Sequence, residues 1–188
     1  MDRRTQKSKQ AIMHALIELM AKKNFEKITI NEIANKANVN RGTIYLYYTD
    51  KYDLLDKCVE TSLTHLSAYL LDTPCLPNDS THDSAKISIE RTFEYMENHA
   101  FLYTTLLKNN GVSTFRNRLA KMMHQILDMK INMPIHNQEV SKDILVEFLV
   151  SGLVGVLEWW FANSMPYSAK DITEQLCKLL ERNSIDFS

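Results

Sequence analysis

The chain has 188 residues, with 22 Lys+Arg against 23 Asp+Glu and only 4 Gly, 4 Pro and 3 Cys. That length supports one or two packed domains, and so little Gly and Pro suits an all-helical protein. The three widely spaced cysteines (Cys58, Cys75 and Cys177) exclude a disulfide scaffold and fit a reducing compartment.

The near-neutral total hides an asymmetry. Residues 1–60 carry 11 Lys+Arg and 8 Asp+Glu, net +3, and residues 61–188 carry 11 and 15, net −4. A basic head on an acidic body points to a polyanion-binding end. Met1 is followed by polar residues rather than an apolar leader, so a cytoplasmic protein is expected.

The first helix is predicted over residues 3–23, from Ile12, Leu16, Leu19 and Met20 at helical spacing. Asn24 stands where a left-handed C-cap is expected. Thr29-Ile30-Asn31-Glu32 then reads as a capping box, with Ile28 and Ile33 as its hydrophobic staple, and opens a helix of about eight residues. Asn38 accepts a positive φ, Val39 is expected as the buried plug of a turn, and Asn40 is a good N-cap. A third short helix follows over residues 41–48. Two short helices joined by such a turn have the sequence shape of a helix-turn-helix. The fourth helix is predicted from Asp50 to about Leu71, with Asp53 at N3. Its length of about 20 residues lets it leave the first unit and enter a second.

Residues 72–83, with Pro74 and Pro77, read as a loop. Helices are predicted near 84–98, 100–109, 112–131, 139–163 and 168–182, with a break at Met165-Pro166-Tyr167 and a cap at Ser168. Residues 144–162 are rich in apolar side chains, but Glu147 and Glu158 interrupt them. A buried helix is therefore expected there rather than a membrane span.

Within residues 41–55 four tyrosines fall in eight positions: Tyr45, Tyr47, Tyr48 and Tyr52. At 100° per residue, Ile44 and Tyr48 share the buried face of the third helix. Arg41, Gly42, Thr43, Tyr45, Leu46 and Tyr47 are left outward. Guanidinium and phenol groups donate to phosphates, Thr43 reaches a base edge, and Leu46 rests against a thymine methyl. Thr29 and Lys51, at the starts of the second and fourth helices, are further phosphate candidates. Arg3, Arg4, Lys7 and Lys9 form a basic arm. On spacing alone a protein-binding surface of amphipathic aromatics stays open beside DNA.

The stretch TINEIANKANVNRGTIYLYYTDKYDLL resembles the N-terminal domain of the TetR/AcrR family of transcriptional regulators. The matching residues are Ile33-Ala34, Val39, Gly42-Thr43, Ile44-Tyr45, Tyr47-Tyr48, Lys51 and Leu54-Leu55. The family usually has Phe where Tyr48 stands, so the Tyr48 hydroxyl is expected at the edge of the core. The resemblance implies double-stranded operator DNA as partner, a homodimer, and a helical C-terminal domain that binds a small effector. The run SGLVGVLEWWFANSMPYS is similar to the C-terminal region of a subgroup that includes regulators of dihydroxyacetone kinase operons.

From the residues themselves, Ser151, Gly152 and Gly155 are small enough to admit a second helix. With Ile172, Leu176, Leu179 and Leu180 they form the expected dimer seam. Phe93, Met96, Tyr103, Phe115, Met122, Met123 and Trp159 are candidates to line an effector cavity, although such residues at helical spacing also make ordinary core. No metal-ligand spacing among the six His, no catalytic motif and no cofactor fingerprint is present. The expectation is an all-α, non-enzymatic regulator. A three-helix helix-turn-helix domain occupies 1–50, and a helical bundle for regulation and dimerisation occupies 51–188. It acts as a repressor released from a pseudo-palindromic operator by a small effector. The alternative is a coactivator-type regulator whose C-terminal domain binds a partner protein.

Overall fold

The computed structural model describes residues 3–71, 81–108, 114–131 and 141–182. In chain order the helices are α1 (Arg3–Met20), α2 (Ile30–Ala37), α3 (Arg41–Tyr45), α4 (Lys51–Leu71), α5 (Thr81–Asn98), α6 (Ala100–Lys108), α7 (Thr114–Lys130), α8 (Lys142–Ala162) and α9 (Ala169–Arg182). One 3-10 turn, Phe25–Lys27, precedes α2. The chain divides into two compact units. One holds residues 1–62 with 104–115; the other holds 63–103 with 116–188. The helix α4 contributes to both.

In the first unit α1 packs on α2, and α2 on α3. Its core takes Ile12, Leu16, Phe25, Ile28, Ile33, Ile44, Tyr48, Leu54 and Val59, all nearly inaccessible. Each such aliphatic or aromatic side chain contributes about 1.5–3 kcal/mol on burial. Four apolar residues of α4 (Leu54, Leu55, Cys58 and Val59) are buried here, so its first turns belong to the head. Burial pushes the Cys58 thiol up to about 12.

Two local expectations are corrected. Asn24 is not a left-handed C-cap: its φ is −56°, and its side chain accepts from Glu26 N–H to start the 3-10 turn. The α1 helix has already ended at Met20, and the apolar Phe25 folds back into the core. The α3 helix ends at Tyr45 rather than near residue 48. A further turn continues through it, since Tyr48 N–H still donates to Ile44 O at 2.9 Å.

In the second unit α5 packs against α9. The start of α9 is capped as expected, with Asp171 N–H donating to Ser168 Oγ at 3.1 Å. The break before it has Ser164 and Met165 at positive φ (58° and 54°). The helix α8 is long and apolar enough to cross a membrane. One face of it (Val146, Leu149, Val150, Val154, Leu157, Trp160 and Phe161) is buried within the chain. The opposite face, with Ile144, Phe148 and Trp159, is exposed within one chain. Residues 81–83 of the expected loop begin α5, and the rest of that loop lies outside the described residues.

Candidate nucleic-acid interface

The turn that presents α3 is built from side-chain hydrogen bonds. Thr29 and Glu32 form the capping box: Glu32 N–H donates to Thr29 Oγ1 at 3.3 Å, and Thr29 N–H donates to Glu32 Oε2 at 3.0 Å. The Thr29 hydroxyl also donates to Glu32 Oε2 at 2.9 Å. Lys23 bonds the other carboxylate oxygen. That bond, with those from Thr29, holds the Glu32 carboxyl down at about 2. Asn38 closes α2 in the left-handed region with φ 53°, where an asparagine carries little strain. Val39 is only half-buried, so it is a partial plug rather than a sealed one. Asn40 then caps α3 by accepting from Gly42 N–H at 2.9 Å.

The chain orients α3 by burying Ile44 and Tyr48. Opposite them stand Leu46, 77% exposed, and Tyr45, 46% exposed. Arg41 and Gly42 are also exposed, and Thr43 and Tyr47 are half-buried. Arg41 Nη2 donates to Tyr45 Oη at 3.1 Å, and the guanidinium lies 5.4 Å from that ring centre. Both groups are thereby held in one place before any ligand arrives. Lys9 of α1 sits 5.2 Å from the Tyr47 ring centre, which joins the basic arm to this surface. A Cβ on Gly42 would meet only Asn40 Oδ1, at an ordinary 3.5 Å. Among the described residues no neighbour demands glycine there.

The four tyrosines divide by role. Tyr45 and Tyr47 belong to the α3 surface. Tyr52 does not: its hydroxyl donates to Glu26 Oε2 at 2.8 Å, and its ring meets Phe25 edge-on at 5.3 Å. Tyr48 is core, but its hydroxyl is not at the edge. Tyr48 Oη is buried with no hydrogen-bond partner among the described residues, and burial pushes its phenol up to about 12.

Lys51 is placed differently from a phosphate-binding lysine. Its side chain is 15% exposed. Its ammonium donates to the carbonyl oxygens of Phe25 (3.2 Å), Glu26 (2.8 Å) and Ile28 (3.2 Å). Three donors meeting three carbonyls leave the group committed to the 3-10 turn. This clamp was hidden in the sequence because 23–26 residues separate its partners.

The second unit contains a cavity of about 110 Å³. Of the expected lining residues, Phe93, Met96, Met122 and Met123 do line it. Tyr103 is buried but is not among its walls, Phe115 is in the core of the first unit, and Trp159 is 48% exposed. Leu176 and Leu180, expected in a dimer seam, are buried and form part of the cavity wall. The helical period located an apolar stripe on α9, and within one chain α5 packs against that helix. Leu179 remains exposed, as do Ser151, Gly152 and Gly155, and added Cβ atoms on the two glycines would meet nothing within 4 Å. Ile144 and Phe148, which the sequence reading missed, extend this exposed face of α8.

Residues 12–58 match the family model of bacterial regulatory proteins of the tetR family, and residues 83–182 match that of a transcriptional regulator C-terminal region. The Transposon Tn10 TetC protein of Escherichia coli is 29% identical over 173 residues, covering 88% of this chain and 81% of that protein. The HTH-type transcriptional regulator YxbF of Bacillus subtilis (strain 168) is 19% identical over 171 residues. That match covers 91% of this chain, which spans only 44% of the length of YxbF. In fold, the solved structure of the dihydroxyacetone kinase operon activator DhaS is similar with a TM-score of 0.65 at 15% identity, over 94% of this chain and 95% of that one.

Proposed function

Because this chain belongs to the TetR family of transcriptional regulators, we propose that it is a homodimeric repressor that reads a pseudo-palindromic operator through α3. The observation that carries this is the outward face of α3. Arg41, Tyr45 and Leu46 are exposed, while Ile44 and Tyr48 fix the helix from behind. A cationic donor, two phenols and an apolar tip suit phosphate and major-groove contacts together. Thr43, Tyr47 and the open backbone at Gly42 complete the reading surface. Thr29, exposed at the start of α2, is a further phosphate contact in this reading. Lys51 takes a different role, positioning the head rather than touching the phosphate.

The dimer would close through the exposed face of α8, at Ser151, Gly152, Gly155 and Phe148, with Leu179 of α9 beside it. Two-fold reading of one operator would require two α3 helices about 34 Å apart, one turn of B-DNA. The apolar cavity supports a small effector over the alternative of a coactivator that binds a partner protein, because its apolar lining offers room inside the second unit. Effector and operator are coupled through α4, which contributes to both compact units: whichever ligand favours one arrangement of the heads disfavours the other. The domains would divide as 1–50 and 51–188, with the first turns of α4 completing the head's core. The protein would be cytoplasmic and without catalytic activity.

The test is the salt dependence of binding to duplex DNA. Several phosphate contacts per head give a steep fall of log affinity with log salt. A flat dependence would remove the α3 reading.

A further inference from the structure

Resting on the α3 reading just proposed, we infer that Leu46 is a specificity-determining residue that reads a methyl group rather than a base pair. Each operator half-site then holds a 5-methylpyrimidine, thymine or 5-methylcytosine, whose methyl seats against Leu46 beside Gly42. At about 100° per residue, Leu46 stands opposite Ile44 and Tyr48, the two side chains that anchor α3 in the core. It is the most outward residue of this turn and is 77% exposed. Its backbone is fixed, because Leu46 is the C-cap of α3 and its N–H donates to Gly42 O at 3.2 Å. Gly42, one turn back on the same face, has no side chain to cover the leucine.

A lone exposed leucine needs no explanation on a plain surface. This one is bracketed by polar groups. Arg41 and Tyr45, hydrogen-bonded to each other at 3.1 Å, flank it on one side. Thr43 and Tyr47 flank it on the other, with Lys9 5.2 Å from the Tyr47 ring centre. Those flanks suit phosphates and so fix where the apolar tip enters the groove. The leucine side chain can neither donate nor accept. Against a polar base edge it displaces water and returns no hydrogen bond. The thymine C5-methyl is the apolar feature that the major groove offers, and 5-methylcytosine carries the same methyl at the same ring position.

The test takes an operator selected from a random duplex pool by the full-length protein and exchanges one methyl at a time. Replacing each thymine by deoxyuridine should find one position per half-site where affinity falls about fourfold, the transfer free energy of one buried CH₂-sized group. At that position a 5-methylcytosine·G pair should bind tighter than a C·G pair by the same factor. Both differences should vanish in Leu46→Gln, which keeps the length but ends in an amide, and in Leu46→Ala, which loses the reach. A methyl effect that survives both substitutions overturns the role of Leu46. A deoxyuridine effect without the matching cytosine effect means that the pair is read, and overturns the reading of a methyl. No thymine whose methyl matters overturns the inference while leaving the α3 reading intact. Selection that enriches no inverted repeat overturns both together.

Discussion

Lys51 Nζ donates to Glu26 O across 2.8 Å, and so ties the first residue of α4 to the turn that precedes α2. Phe25 O and Ile28 O accept from the same ammonium, and the Phe25 ring centre lies 4.9 Å away. One cation therefore gathers carbonyls along the 3-10 turn and its C-cap, of which Phe25 O also accepts from Ile28 N–H at 3.0 Å. Tyr52, the next residue, braces the same turn through Glu26.

If Lys51 is a clamp, Lys51→Met should destabilise the head by about 1–3 kcal/mol, since partly buried carbonyls lose a charged donor. Amide hydrogen exchange over α1 to α3 should rise accordingly. The salt dependence of DNA affinity should keep its slope. A stable head with the slope reduced by about one would instead make Lys51 a phosphate contact.

The Tyr48 hydroxyl is buried without a partner among the described residues. Tyr48→Phe removes that polar group and keeps the ring, so the substitution should be neutral or stabilising by about 1 kcal/mol in urea unfolding. A clear loss of stability would show that the hydroxyl has a partner in solution.

Glu32 contributes to the pH dependence of the head, beside Glu18, whose carboxyl the bond from Lys36 also lowers. The Glu32 carboxyl sits at about 2 rather than 4.5, chiefly through the hydrogen bond from Lys23 and then those from Thr29. A depressed carboxyl stabilises the fold above its unfolded value. That contribution is complete above about pH 4.5 and is lost as pH falls toward about 2. Glu32→Gln should flatten this part of the acid-unfolding curve; an unchanged curve would contradict the capping-box geometry.

The two glycines of α8 separate packing within the chain from packing between chains. A Cβ at Gly155 meets nothing within 4 Å. Gly155→Ala should therefore raise helix stability by up to about 1 kcal/mol in the single chain. Across a close helix seam the same methyl should weaken the dimer, and Gly155→Glu should yield monomers by sedimentation. An intact dimer in both variants would place the interface elsewhere.

On the reading face, Leu46→Ala and Arg41→Ala should lower DNA affinity while circular dichroism stays unchanged, because both side chains are exposed. Arg41→Ala should also cut the salt slope by about one. Unchanged affinity would take either residue off the contact surface.

Much of the head was legible because its signals are local. Thr29 and Glu32, Asn38, and Asn40 each act within four residues of themselves, and each takes the predicted cap or turn. The parts that were not legible depend on distant partners. Asn24 caps a 3-10 turn because Phe25 finds a place in the core, and Lys51 turns inward to the carbonyls of that turn. Helical periodicity marks a stripe as buried without naming what covers it. Leu176 and Leu180 were thus expected in a seam and also wall a cavity, while Phe148, 68% exposed, carried no signal that singled it out.

The most direct measurement is selection of bound sequences from a random duplex pool by the full-length protein, followed by affinity at several salt concentrations. An enriched inverted repeat, with half-sites about one helical turn apart and lost on Leu46→Ala, is the predicted result. No enrichment, or an enriched site indifferent to Arg41, Tyr45 and Leu46, would contradict a dimer that reads DNA through α3.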